Sequence, residues 1–231
     1  MEKASYLDRL AEHGINSAHP GGMALTRALL AKEKITPDTT LLDAGCGTGQ
    51  TAAYIGKRYG CKITAVDIHP GMLEKARQKL AELSLNYPVI RADVMDLPFP
   101  KSSFDMILSE SVAIFTNIQR TLQEYFRVLT PGGLVLAIEA TALEPLTGAE
   151  ADAFREVLGI DWLPLREEWC QMFQDTDFTQ VSTIFTRPMN WALALLPKLN
   201  RTRARAFDDY SSVLWRYRKK FGYGVYRCRR R

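Results

Sequence analysis

Between residues 41 and 140, short runs rich in β-branched and apolar residues alternate with stretches whose apolar positions recur every three or four residues. Alternation of this kind reads as repeated βαβ units, which build a parallel sheet with helices packed on its faces. The expected strands are Thr40–Ala44, Lys62–Asp67, Val89–Ala92, Phe104–Ser109 and Leu134–Ala140. One helix begins near Pro70, a residue suited to a first turn, and carries Leu73, Ala76, Leu80 and Leu83 along one stripe. Another follows the cap residue Asn117, aligns Ile118, Leu122, Phe126 and Leu129, and stops at "TPGG".

Flanking segments are less regular. Residues 1–30 read as helical, interrupted by "HPGG" at His19–Gly22. After Ala140 comes a mixed segment rich in Trp and acidic residues, in which Trp162, Trp169 and the later Trp191 are candidates for an acceptor pocket. Strand-like alternation returns in "DFTQVSTIFT" (177–186) and "FGYGVYRCRR" (221–230), with a helical stretch over 188–220 between them.

At 231 residues and 46% hydrophobic, the chain suits one domain with a full core. No run approaches the roughly 18 apolar residues of a membrane span, and the amino terminus lacks a secretory apolar region, so the cytoplasm is the expected compartment. Cys46, Cys61, Cys170 and Cys228 lack the paired spacing of a zinc site or disulfide framework and read as reduced thiols; no metal is expected. The net charge of +4 hides an asymmetry: residues 198–231 hold 12 Lys/Arg against 2 Asp/Glu, the rest 18 against 24. Such a tail, interleaved with Trp215, Tyr217, Tyr223 and Tyr226, raises RNA binding as one reading. A final strand with outward charges is the plainer one.

The chemistry concentrates in "LLDAGCGTGQT", Leu41–Thr51. Gly45, Gly47 and Gly49 stand at alternate positions on the turn from the first strand into a helix, where free backbone N–H groups and the helix dipole favour an anionic ligand group. A dinucleotide fingerprint, G-x-G-x-x-G, needs a small sixth residue, and Gln50 stands there.

The D-x-G-x-G-x-G arrangement, Asp43–Gly49, resembles the first motif of the class I S-adenosylmethionine-dependent methyltransferases. The resemblance continues in order through "AVDIHPGML", "RADVMDLPFPKSSFDMILSES" and "VLTPGGLVLAIEA", covering roughly residues 41–140, and is nearest to small-molecule enzymes of the ubiquinone and menaquinone type. It implies that Gly45, Gly47 and Gly49, with Cys46 in their loop, line the methionine part of the cofactor, that Asp43 orients its amino group and that Asp67 holds the ribose. It further implies that Ile68, or else His69, borders the adenine, that Asp93 accepts from the adenine amino group with Val94 beside the ring, and that Ser109 and Glu110 face the transfer centre. The implied fold is a Rossmann-like, doubly wound α/β sheet of seven strands, the last antiparallel. A helical lid (1–36) precedes the cofactor-binding core (37–140), and acceptor-side inserts with the last two strands follow (141–231), all in one domain.

A sulfonium carries an already activated methyl group, so positioning the acceptor supplies much of the catalysis, and a general base adds to it where the acceptor must lose a proton. Glu110, His19 and His13 are the candidate bases. The expected activity is transfer of the methyl of S-adenosylmethionine to O, N or C of a small metabolite, releasing S-adenosylhomocysteine. Two other readings are an RNA methyltransferase using the basic segment and a non-catalytic subunit that keeps the cofactor fold; a damaged glycine loop or missing ribose acid would mark the latter, and neither occurs here.

Overall fold

Leu41 and Leu42 are both fully buried, although neighbouring side chains of a strand point to opposite faces, so strand β1 (Thr40–Ala44) must be covered on both sides. The computed structural model, which describes residues 19–188 and 208–231 together with Asp8, Arg9 and Glu12, shows how. β1 is an interior strand of a seven-stranded sheet, paired in parallel with β2 (Lys62–Asp67) on one side and β4 (Phe104–Glu110) on the other. The order is β3-β2-β1-β4-β5-β7-β6, with β3 at Val89–Arg91, β5 at Leu129–Ala142, β6 at Phe178–Pro188 and β7 at Phe221–Arg230. β7 runs antiparallel between β5 and β6, as expected of the last strand.

Helices α1 (Gly22–Leu30), α2 (Gln50–Tyr59) and α3 (Pro70–Glu82) contribute Leu29, Leu30, Ile55, Leu73, Ala76 and Leu80 to one apolar layer with Leu41, Ile63 and Leu108. The opposite layer joins Leu42, Val66 and Ile107 to Ile118, Leu122 and Tyr125 of α4 (Ile118–Val128) and to Trp169 and Phe173 of α6 (Arg166–Asp175). The anticipated start signals hold: Pro70 opens α3, and the Asn117 side chain accepts from the Arg120 amide at the head of α4.

Three elements differ from expectation. β5 begins at Leu129 rather than Leu134, because "TPGG" forms an irregularity in the ladder: Phe104 pairs with Leu129, and the next partner of β5 is Leu134, opposite Met106. The mixed segment after Ala140 folds into α5 (Gly148–Leu158) and α6. A capping box at α5 joins Thr147 to Glu150, a local start signal that the reading of this stretch as a mixed segment did not use. Of the stretch 188–220, a helix α7 spans Asp208–Arg216, and the remainder lies largely outside the described residues.

Among the described residues, four cations of the basic end of the chain are engaged by the rest of the protein. Arg227 pairs with Glu33, Arg229 donates to the Gly132 carbonyl, Arg230 reaches the Leu129 carbonyl over the Phe126 ring, and Lys220 pairs with Glu150. Among the described residues no helix is long and apolar enough to cross a membrane.

Candidate active site

β1 is where the strand order reverses: the chain leaves it towards β2 and β3, then returns on its other side as β4. Clefts open at the carboxyl ends of strands at such a point. A cavity of about 340 Å³ lies there, lined by Asp43 to Thr48 apart from Ala44, by Asp67 and Ile68, Ala92 to Met95, and Glu110 to Val112. It continues past Ile114 and Phe115 to Ala140, Leu158, Ile160, Tyr210 and Phe221.

All three loop glycines have positive φ, +72°, +53° and +72°, a backbone region costly for other residues. What each leaves bare differs. A Cβ on Gly45 would come within 2.4 Å of Val112, and one on Gly49 within 3.0 Å of Ala76 in α3, whereas one on Gly47 would meet nothing within 4 Å. The absent side chains at 45 and 49 therefore admit neighbouring parts of this chain, and Gly47 is the point open to a ligand. Gly49 is not among the residues that line the cavity, whereas its neighbours Thr48 and Gln50 are.

Asp67 ends β2 and reaches across to the loop: its Oδ2 accepts from the Gly47 amide at 2.9 Å and its Oδ1 from the His69 amide at 2.8 Å. A carboxylate has about four acceptor sites, so two remain for hydroxyl donors. His69 itself caps α3 through Nδ1, leaving Ile68, 54% exposed, at the cavity rim. Asp93 lines the cavity and also closes a turn by accepting from Met95, and Val94 is buried beside it.

Asp43 is 2% exposed, and its Oδ2 has no hydrogen-bond partner among the described residues. Burial first, then the charges of Glu110 and Asp67, hold its carboxyl well above the usual range, against a hydrogen bond from the Ala52 amide. The Cys46 thiol is pushed up by burial, with the nearby Asp43 and Asp67 acting in the same direction, so it is not a reactive thiolate.

Glu110 closes β4 and joins three segments. Its Oε1 accepts from Thr26 of α1, its Oε2 from Thr51 of α2 at 2.7 Å, and His19 Nε2 stands 3.5 Å away. His19 is also buried; its Nδ1 lies 3.2 Å from the Pro20 carbonyl and its Nε2 3.4 Å from Thr26. Two of the three candidate bases are thus brought together, while His13 lies outside the described residues. Both ring nitrogens of His19 face oxygen atoms of this chain, and the residue also lines the cavity.

Ser109 departs from expectation. Its hydroxyl is fully buried against Tyr125 and Glu139, on the other face of β4 from Glu110, and does not line the cavity. Glu139, which the sequence reading missed, is fully buried on β5. It accepts from the Val112, Ala113 and Ile114 amides, holding the 3-10 turn Ala113–Phe115 that walls the cavity. Burial outweighs those bonds and pushes its carboxyl up to about 7. Of the tryptophans, Trp169 is buried with its ring N–H on the Ala140 carbonyl, Trp162 is exposed away from the cavity lining, and Trp191 lies outside the described residues. Leu158, Ile160, Tyr210 and Phe221 line the cavity instead.

A methyltransferase domain model matches residues 41–133. Over 183 residues the chain is 40% identical to an uncharacterized methyltransferase, YodH, of Bacillus subtilis, covering 79% of this chain and 78% of that one. It is 35% identical over 117 residues to the ubiquinone/menaquinone biosynthesis C-methyltransferase of Salmonella arizonae, covering 48% and 47% of the two chains. Among solved structures, phosphoethanolamine N-methyltransferase 2 of Haemonchus contortus, in complex with S-adenosyl-L-methionine, superposes with a TM-score of 0.79 at 16% identity, over 96% of this chain and 56% of that one. Together with the ordered strand ends and the cavity at the reversal of strand order, these likenesses show that the chain belongs to the class I S-adenosylmethionine-dependent methyltransferases, close to their ubiquinone/menaquinone type.

Proposed function

We propose that the chain transfers the methyl group of S-adenosylmethionine to a small-molecule acceptor. The observation that carries this is the open Gly47 amide turn, gripped by Asp67, in one cavity with the unpartnered Oδ2 of Asp43. The residues fit that cofactor: Asp43 offers an acceptor to its ammonium group, Asp67 two acceptor sites to its ribose, and Ile68, Asp93 and Val94 a platform and an acceptor to its adenine. Carboxyl groups at 43, 67, 93 and 110 suit a ligand that is cationic at sulfur and at nitrogen. When bound, the cofactor supplies a methyl group activated by its sulfonium.

The protein's contribution is then position and proton removal. The walls from Val112 to Phe115 and from Leu158 to Ile160 exclude water and hold the acceptor against the cofactor side of the cavity. Glu110, anchored by Thr26 and Thr51, keeps free acceptor capacity on both oxygens and takes the proton that the acceptor atom loses. Incubation with methyl-labelled S-adenosylmethionine and a fractionated cell extract tests the proposal. Label is expected in a small-molecule product; label in RNA alone, or in nothing, overturns it.

A further inference from the structure

Val112 stands between the cofactor turn and the apolar wall of the cavity. Its side chain lies so close to Gly45 that a Cβ there would meet it at 2.4 Å, and it lines the cavity just before Ile114 and Phe115. It belongs to the connection that leaves β4 after Glu110.

That connection is bound amide by amide to β5. The Ser111 amide donates to the Ile138 carbonyl at 2.7 Å, and the Val112, Ala113 and Ile114 amides donate to the Glu139 carboxylate at 3.3, 3.1 and 3.3 Å. Ser111 enters this arrangement with a φ of +59°, a conformation costly for a residue with a Cβ. A carboxylate has about four acceptor sites, and the Ser109 hydroxyl, at 3.1 Å, takes the fourth of Glu139. Glu139 is fully buried and is not among the residues that line the cavity, so it acts on a ligand only through its partners. Burying a carboxyl is unfavourable against an apolar side chain of like volume. What the carboxyl adds is direction: it aligns three successive N–H groups, and with them the seat of Val112 on Gly45.

Resting on the methyl-transfer reading, we infer that Glu139 is a positioning residue for that reaction, acting through Val112 to hold the Gly45–Gly47 turn in the form that receives the cofactor. The same carboxyl fixes Ile114 in the apolar wall, so the cofactor side and the acceptor side of the cavity are held to one point of β5.

Amide hydrogen exchange in the full chain, read residue by residue by NMR, tests this without a ligand. Glu139→Gln keeps the shape of the side chain and replaces one acceptor oxygen by a nitrogen that cannot accept. In the folded variant the Gly47 amide, which donates to Asp67, should exchange about tenfold faster or more, measured against the change at the Ala65 amide, which bonds the Pro88 carbonyl in the sheet. Val112→Ala should speed Gly47 similarly, and adding Glu139→Gln to it should bring no further increase. A Gly47 rate that merely follows Ala65 in Glu139→Gln, or increments that multiply in the double variant, makes Glu139 a residue of the core alone and overturns the inference. The affinity for S-adenosylhomocysteine, titrated by calorimetry, should fall about fivefold or more in Glu139→Gln, and an unchanged affinity overturns the inference equally. If that variant does not fold, the wild type decides: coupling is reciprocal, so saturating S-adenosylhomocysteine should slow exchange at Ala113 and Ile114, and unchanged rates overturn the inference. Absence of S-adenosylhomocysteine binding by folded wild type contradicts the methyl-transfer reading instead, and the ligand-free exchange rates still judge this one.

Discussion

The hydroxyl of Thr26, on the amino-terminal helix, donates to Oε1 of Glu110, 84 positions away at the end of β4. That bond fastens the helix expected to act as a lid to the strand that carries the proposed base. Thr26→Val keeps the shape and removes the donor. A hydrogen bond to a charged group is worth about 2 kcal/mol, so the melting temperature should fall by about 6 °C for a chain of this size, read by scanning calorimetry. An unchanged melting temperature would show that the contact does not hold the helix.

Glu110→Gln retains an oxygen for one of the two threonines but cannot take up a proton. Turnover should drop by about 10²-fold or more, while the affinity for S-adenosylhomocysteine changes much less. Single-turnover kinetics beside a binding titration separates the two effects. Equal losses in both would make Glu110 a binding residue.

Gly45 and Gly47 should respond differently to alanine. At Gly45 the new methyl meets Val112 at 2.4 Å, and overpacking joined to a left-handed backbone should destabilise by about 3 kcal/mol. At Gly47 no atom of the chain is in the way, so only the backbone cost of about 1 kcal/mol applies, yet the methyl projects into the space assigned to the ligand. Urea unfolding should find Gly45→Ala the less stable variant, and titration should find the loss of cofactor affinity greatest for Gly47→Ala in relation to its stability.

Glu139 makes stability fall as pH rises. Its carboxyl is near 7 in the folded chain against an ordinary 4.5, so the folded state holds the proton more tightly. The stabilisation is full below about pH 4.5 and lost as pH climbs through about 7, a change of about 3 kcal/mol. Urea unfolding at a series of pH values should show that decline, and Glu139→Gln should flatten it. An identical slope in the variant would assign the decline to other groups.

Much of the core was legible because two periods compete clearly there: strands buried on both faces stand out as apolar runs, and the helices between them keep their stripes. The same regularity placed Asp43, Asp67 and Glu110 at strand ends. Ser109 was misplaced through neglect of strand parity, since adjacent residues of β4 point to opposite faces and only one of Ser109 and Glu110 can reach the cavity. Thr26, Thr51 and Glu139 carry no local signal, for their partners lie 84, 59 and about 26 positions distant and are set by packing. The helix at Gly148–Leu158 did carry one, the Thr147–Glu150 capping box.

The central claim is that the cofactor rests on the turn at Gly47 with its sugar held by Asp67. Calorimetric titration of S-adenosylhomocysteine into the wild-type chain and into Asp67→Ala tests it most directly. The wild type should bind, and the variant, while still folded, should bind at least tenfold more weakly, a difference of about 1.4 kcal/mol. Equal affinity in the two chains, or no binding by folded wild type, would contradict it.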